Sequence, residues 1–323
     1  MPSQHEIEQA FAARRQMLWG LGYRLTGVAA DADDIVQETF LRALERPPAT
    51  LDAGWHGWLV RVATNLGLDR LRARRRRAYV GPWLPSPIEL AGPDGENGAA
   101  SEAVDADYER RESLAYAFVL ALEVLTPRAR AVLILREVFE YSASEVAVLL
   151  DTTEANVRVL HHRAARRLAD ARPAPRSLRD LAEPTRHALQ AFVSCMARQD
   201  VAGLEALLTA SARTVTDGGG RYTALRAPLV GAARVARFHL ETGRRRMPIS
   251  TTEIRWINGL PALVIATRPL RTQMAPALVL RCELDGDDRI SELHAILAPR
   301  KLSAVRFGAP PAPDVRSALR SSS

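Results

Sequence analysis

Cysteine is nearly absent: Cys195 and Cys282 are the only two, both in apolar surroundings and without C-x-x-C spacing. A disulfide framework and a cysteine-based zinc site are thereby excluded as organising principles. The seven histidines, His5, His56, His161, His162, His187, His239 and His294, show no metal-ligand spacing. The adjacent pair His161-His162 cannot converge on one ion, because neighbours on a helix point apart. Neither a metal nor a cofactor is expected. No stretch approaches the ~18–20 consecutive apolar residues of a bilayer span. Met1–Ala13, with Glu6 and Glu8, does not read as a signal peptide. The expectation is a cytoplasmic protein with no membrane partner. Internal repeats are missing too, and Lys301 is the only lysine among 44 basic residues.

What is present is arginine. The net charge of +7 favours a polyanionic partner, but its distribution is more informative. Residues 1–89 hold twelve bases and ten acids, 90–108 no base and five acids, 109–172 ten and nine, and 173–323 twenty-two and thirteen. The excess therefore lies mainly at the C-terminal end, with local clusters before it. A length of 323 residues fits two or three domains, and 47% apolar residues argue against wholesale disorder.

Helical periodicity covers Glu6–Tyr79, in Ile35, Val36, Phe40 and Leu44 and again in Trp55, Trp58, Leu59, Val62 and Leu66. Gly81–Asp107 is rich in Gly, Pro and acids, with Trp83, Leu84 and Ile88 as anchors. Periodicity returns over Tyr108–Arg172, where Thr126-Pro127 starts a helix and Ser142-Ala-Ser-Glu145 forms a capping box. Pro173, Pro175 and Pro184 bracket a second linker. Beyond it, helices near 185–198, 200–208 and 231–242 accompany a short strand at Thr214–Asp217. Runs at Ser250–Ile257, Ala262–Thr267, Ala277–Leu284 and Ile290–Leu297 read as antiparallel strands, giving an α+β layer. The expected boundaries are 1–80, a linker 81–107, 108–172, a linker 173–183, 184–302, and a disordered tail within 303–323.

The sharpest local feature is Tyr141–Leu168. A helix over Ser142–Leu150, a turn at Asp151-Thr152-Thr153 and a helix over Glu154–Leu168 make a helix-turn-helix. Val157, Leu160, Ala164 and Leu168 form its docking stripe. Thr153, Glu154, Asn156 and Arg158 would then lie near base edges, and His162, Arg163 and Arg166 near phosphates. A second feature is the helix Trp55–Arg77, which ends in Leu71-Arg-Ala-Arg-Arg-Arg-Arg77 and suits phosphate contact. Beside it, Asp31, Asp33, Asp34, Gln37 and Glu38 line the polar side of another helix, implying a separate, basic protein partner.

Asp31-Ala-Asp-Asp-Ile-Val-Gln-Glu-Thr-Phe-Leu-Arg-Ala-Leu44 resembles the core-polymerase-binding helix of the extracytoplasmic-function sigma factors. Trp58-Leu-Val-Arg-Val-Ala-Thr-Asn65, with Asp69, Leu71 and Arg72, resembles their promoter −10 helix. Leu125-Thr-Pro-Arg-Ala-Arg-Ala-Val-Leu133 and the helix-turn-helix ending in His162-Arg-Ala164 resemble their σ4 domain. The third segment resembles a SnoaL-like domain of the NTF2-like α+β cone fold. The subgroup bearing that extension has three further motifs, matched here as Trp83-Leu-Pro-Ser-Pro87, Asp217-Gly-Gly-Gly-Arg221 and Asn258–Ala262; a fourth is matched as Ala298-Pro-Arg-Lys-Leu302. Ser86 replaces an acid in the first.

The resemblance implies a multidomain chain of two all-α sigma domains plus a C-terminal α+β NTF2-like cone domain. It implies binding to core RNA polymerase (β′ and β subunits) through Asp31, Asp33, Asp34, Gln37 and Glu38. The −10 element, as duplex and melted strand, would meet Trp55, His56, Asn65, Arg72, Arg74, Arg75 and Arg76. The −35 element falls to the helix-turn-helix residues above. Trp83, Leu84, Pro85, Pro87, Asp217, Gly218, Gly219, Gly220 and Arg221 would form a regulatory contact between domains. A small-molecule ligand is an expected option for the cone.

Asp217, His239 and His294 are the acid–base candidates, but sequence brings no two together, so no catalysis is expected. The triple glycine lacks the strand–loop–helix context of a phosphate cradle. The rival reading is a ligand-sensing one-component regulator that binds DNA without polymerase; it leaves the acidic helix unexplained.

Overall fold

A computed structural model describes residues 3–46, 53–76, 79–90, 115–171, 176–245 and 249–307. The first domain has four helices: α1 (Gln4–Ala12), α2 (Arg15–Thr26), α3 (Ala29–Glu45) and α4 (Ala53–Arg76). A capping box on Ser3 and Glu6 starts α1, and Gly27 ends α2 in the left-handed region at φ 69°. Leu18, Leu21, Leu25, Ile35, Leu59 and Ala63 are fully buried in its core.

The second domain comprises α5 (Tyr116–Ala121), a 3-10 turn (Leu122–Val124), α6 (Pro127–Glu137), α7 (Ala143–Leu149) and α8 (Glu154–Ala171). Thr126 caps α6 with Pro127 following, and Ser142 and Glu145 cap α7 reciprocally, as the sequence predicts. The two domains share one core: Leu25, Leu59 and Leu68 are continuous with Leu122, Leu125, Leu133 and Val157.

The third domain begins with α9 (Leu178–Arg198) and α10 (Val201–Ala206). Helix α9 starts seven residues before the expected position, so 178–183 are helix and not linker. Pro184 within it donates no hydrogen bond to the Asp180 carbonyl, and Arg176 Nη2 donates to that oxygen instead, at 3.3 Å. Then follow β1 (Leu208–Asp217), β2 (Leu229–Val230), α11 (Ala232–Arg245), β3 (Ile249–Ile257), β4 (Leu260–Thr267), β5 (Ala277–Leu284) and β6 (Ile290–Ile296). The sheet order is β2-β1-β6-β5-β4-β3. It is mixed: β3, β4, β5 and β6 pair antiparallel in turn, while β1 runs parallel to β6. Strand β1 is also longer than expected, ten residues.

Both faces of this sheet are buried, because strand alternation sends apolar side chains each way. Leu263, Ile265, Leu280 and Leu293 meet α9 and α11 on one face. Ala262, Val264, Val279 and Ile296 meet Leu84 and Tyr116 on the other. The 79–90 segment is thus packed against the sheet, and the remainder of the expected linker, 91–107, lies outside the described residues. Residues 303–307 are also packed, with Val305 buried and Ala304 accepting from Glu89 N at 3.3 Å, so they are not tail. Among the described residues no helix is long and apolar enough to cross a membrane.

Candidate nucleic-acid interface and the interdomain joint

Helix α8 presents the expected polar face. Thr153, Glu154, Asn156, Arg158, His162, Arg163 and Arg166 are all exposed, while Val157 and Ala164 are buried against the domain. Thr153 Oγ1 accepts from Asn156 N at 3.2 Å, and Arg158 pairs with Glu154 at 2.5 Å. The sequence suffices here because amphipathic period alone decides which side of a docked helix faces solvent.

Helix α4 departs from expectation. Asn65, Arg72 and Arg76 are exposed. Trp55, expected to meet the −10 element, is buried, because it heads the inward stripe Trp55–Leu59–Ala63. His56 joins the two helical domains, accepting from Arg14 Nε at 3.1 Å through Nδ1 with Nε2 3.2 Å from Tyr141 Oη. Burial and the Arg14 charge hold its pKa below the usual range. Arg74 turns inward, and Arg75, although exposed, also reaches the second domain. Arg74 donates to Thr26 O at 3.0 Å and to Glu123 at 2.5 Å, and Arg75 to Leu125 O at 2.6 Å. Both therefore serve the junction between domains in this arrangement. Glu123 also pairs with Arg130, which is 1% exposed and donates to Leu25 O at 2.9 Å. Burial opposes ionisation of Glu123, but Arg130 and Arg74 outweigh it and hold its pKa low.

The acidic face of α3 is partly occupied. Asp33 accepts from Trp19 Nε1 at 2.8 Å, and Glu38 pairs with Arg42 at 2.9 Å, whereas Gln37 is exposed. Asp31 and Asp34 face Arg300 of the third domain at 2.9 and 2.8 Å, with Arg70 behind them at 3.5 and 3.3 Å. Arg300 stands in the most divergent of the four motifs, which is why sequence comparison passes over it.

Asp217 joins the third domain to the 79–90 segment. Asp217 is 1% exposed at the end of β1. Its carboxylate accepts from Leu84 N at 2.8 Å, Tyr79 Oη at 2.6 Å and Gly219 N at 3.0 Å, and pairs with Lys301 Nζ. Lys301 also donates to Leu84 O at 2.5 Å. Burial pushes the Lys301 amine down to about 8, against the opposing pull of Asp217. Trp83 lies between two cations, Arg74 at 4.2 Å and Lys301 at 4.4 Å from its ring centroid. Pro85 and Pro87 are buried beside it, and Gly218 and Gly219 have no room for a side chain. Gly220 lies against Val80, and Arg221 is exposed.

A second knot was not foreseen. Asn258, at φ 50° in the tight β3–β4 turn, is fully buried and reaches the first domain. Its Oδ1 accepts from Ile88 N at 3.0 Å, and its Nδ2 donates to Tyr23 Oη at 3.1 Å. Tyr23 Oη donates to Ser86 O at 2.7 Å, while Ser86 Oγ accepts from Ala29 N at 3.0 Å and so caps α3 from a distant segment. Ser86 thus fits the joint as a neutral residue. Glu89 is paired with Arg255 nearby.

His239 and His294 sit on opposite faces of the sheet. His239 Nε2 is 3.0 Å from Thr214 Oγ1 on the helix side, and His294 Nε2 is 2.7 Å from Glu292 on the other. Burial first of all pushes each down to about 4. Asp217 is consumed by the joint, so the three do not assemble. Among the described residues no cluster of His, Cys, Asp or Glu could hold a metal ion.

Comparison with known proteins agrees with this arrangement. Residues 10–77 match the family model "Sigma-70 region 2", and residues 116–168 match "Sigma-70, region 4". The ECF RNA polymerase sigma factor SigJ of Mycobacterium tuberculosis is 35% identical over 254 residues, 77% of this chain and 78% of that protein. The probable ECF RNA polymerase sigma factor SigI of the same species is 28% identical over 314 residues, 94% of this chain and 98% of that protein. The crystal structure of M. tuberculosis SigJ superposes with a TM-score of 0.64 at 27% identity, covering 92% of this chain and 98% of that one. Two sigma regions in order, joined to a third α+β domain along nearly the whole length of a solved relative, place this chain in the extracytoplasmic-function family of RNA polymerase sigma factors.

Proposed function

We propose that the chain binds core RNA polymerase through the acidic face of α3, Asp31, Asp33, Asp34, Gln37 and Glu38, with the β′ and β subunits as partners. Helix α8 reads the −35 element, and α4 meets the −10 element through Asn65, Arg72 and Arg76. Trp55, His56, Arg74 and Arg75 join them only after the helical domains separate. The third domain acts as a fused regulator without catalysis: through Trp83, Leu84, Asp217 and the glycine loop it holds the sigma domains together, and through Arg300 it covers Asp31 and Asp34. Those domains belong to a cytoplasmic protein with boundaries near residues 80, 108 and 177. The observation that carries this reading is Arg300 on the two aspartates.

Titration of purified full chain with core RNA polymerase tests it. Binding is expected, and Asp34→Arg should abolish it. Absence of binding both by the full chain and by residues 1–177 would refute the sigma reading in favour of a regulator that works without polymerase. On the helix-facing side of the third domain His239 and Thr214 bond one another, which leaves neither as a ready ligand for a small molecule.

A further inference from the structure

The two ends of the third domain's sheet differ in charge. No acid occurs between Asp217 and Glu241, nor between Glu253 and Glu283. These stretches supply the loops 218–228 and 268–276, which meet at one end of the sheet through Thr223 N donating to Gln273 O at 2.9 Å. Arg221, Arg226 and Arg271 are exposed there, and no acidic side chain belongs to either loop. At the other end, the β5–β6 turn carries Asp285, Asp287 and Asp288.

The acid-free end adjoins the arginine-rich end of α4. Gly220 lies against Val80, and Gly81 faces Leu225 O. Helix α4 ends at Arg76, three residues before Tyr79, which is about 10 Å of chain at most. Tyr79 is bonded to Asp217, the residue that opens the 218–228 loop. Arg72 and Arg76 on α4 and the loop arginines therefore fall within one neighbourhood.

We propose that loops 218–228 and 268–276 form a DNA-backbone contact, in which Arg221, Arg226 and Arg271 bind duplex phosphates alongside the −10 helix. The inference rests on the reading of α4 as a DNA-facing helix. Such a contact carries no sequence information; it adds affinity and registers the third domain on the promoter. It also accounts for a basic excess concentrated in the third domain. Partners other than DNA are less well matched. A basic surface of core polymerase is repelled, and the exposed Leu270 and Val80 beside the three guanidiniums are too few to make the apolar centre of a protein-docking core.

The test measures anisotropy of a labelled mixed-sequence DNA duplex with the full chain, across a salt series. The comparison is wild type against Arg221→Gln/Arg226→Gln/Arg271→Gln. None of these side chains is one that the fold depends on, and the three single variants provide a check. The triple variant should bind several-fold more weakly, with a salt slope shallower by about 0.9 for each phosphate no longer neutralised. Arg163→Gln/Arg166→Gln on α8 should lower the slope independently and additively. A wild-type slope in the triple variant overturns the proposal. So does a variant that loses core polymerase affinity while its duplex slope is unchanged, because the loops would then face acidic protein. Core binding by wild type is recorded separately. Its failure would remove the sigma reading while leaving the duplex result standing.

Discussion

Arg300 and Asp34 lie 2.8 Å apart across the boundary between the third domain and α3. The same guanidinium reaches Asp31, so a single side chain covers two acids of the α3 face proposed for polymerase. Both aspartates hold the Arg300 guanidinium above its usual range.

Arg300→Ala should therefore raise core polymerase affinity roughly two- to fivefold, since exposed ion pairs contribute about 0.2–1 kcal/mol each. Titration of labelled core enzyme reads this directly. Unchanged affinity would mean that the contact and polymerase do not compete.

Gly27 and Trp83 offer a cleaner way to open the joint. A Cβ at Gly27 would lie 2.5 Å from the Trp83 ring, and the φ of 69° disfavours any L side chain. Gly27→Ala should cost about 1–3 kcal/mol and expand the molecule. Trp83→Ala, which deletes the sandwiched ring, should expand it without backbone strain. Small-angle scattering would show the larger radius; an unchanged radius in both variants would show that the joint does not depend on this ring.

Glu123 neutralises Arg130, whose side chain is 1% exposed. Glu123→Gln retains an acceptor but leaves that guanidinium buried without its counter-charge. A loss of about 2–3 kcal/mol is expected in urea unfolding. Glu123→Asp should fall between the variant and wild type.

The buried histidines set an acid limit. His239 and His294 are held to about 4, below their ordinary 6.5, so the unfolded chain binds more protons than the folded one between those values. Their stabilisation is complete above about pH 6.5 and is lost as pH falls toward 4, on the order of 3 kcal/mol for each. Thermal melting across that window should show the fall, and His239→Gln/His294→Gln should flatten it. A flat wild-type profile would contradict the assignment.

Local pattern made the helices, their caps and the exposed polar face of α8 legible. Those features depend on residues three or four apart, and such neighbours are the same in any tertiary setting. Contacts across the joint are separated by long stretches of chain: Tyr23 with Asn258, Asp34 with Arg300, Leu84 with Asp217. Motif resemblance pointed to Leu84, Asp217 and, in its fourth motif, Lys301, but not to their partner Tyr79. The lone lysine was a usable signal. In a chain that otherwise uses arginine, it occupies a buried site between a carboxylate, a carbonyl and two rings, which suits a compact ammonium better than a planar fork.

By itself, then, the sequence determined the family, the order of its sigma regions and the outward face of α8. Tertiary structure alone decided which charges remain available. Arg74 and Arg75 stand in the same arginine run as Arg72 and Arg76, yet Arg74 is half-buried on Glu123 and Arg75 is bonded to Leu125 O, whereas Arg72 and Arg76 are left in solvent. The physical reason is that a charge's role depends on its nearest counter-charge and its burial. Both are properties of three-dimensional packing and not of position along the chain.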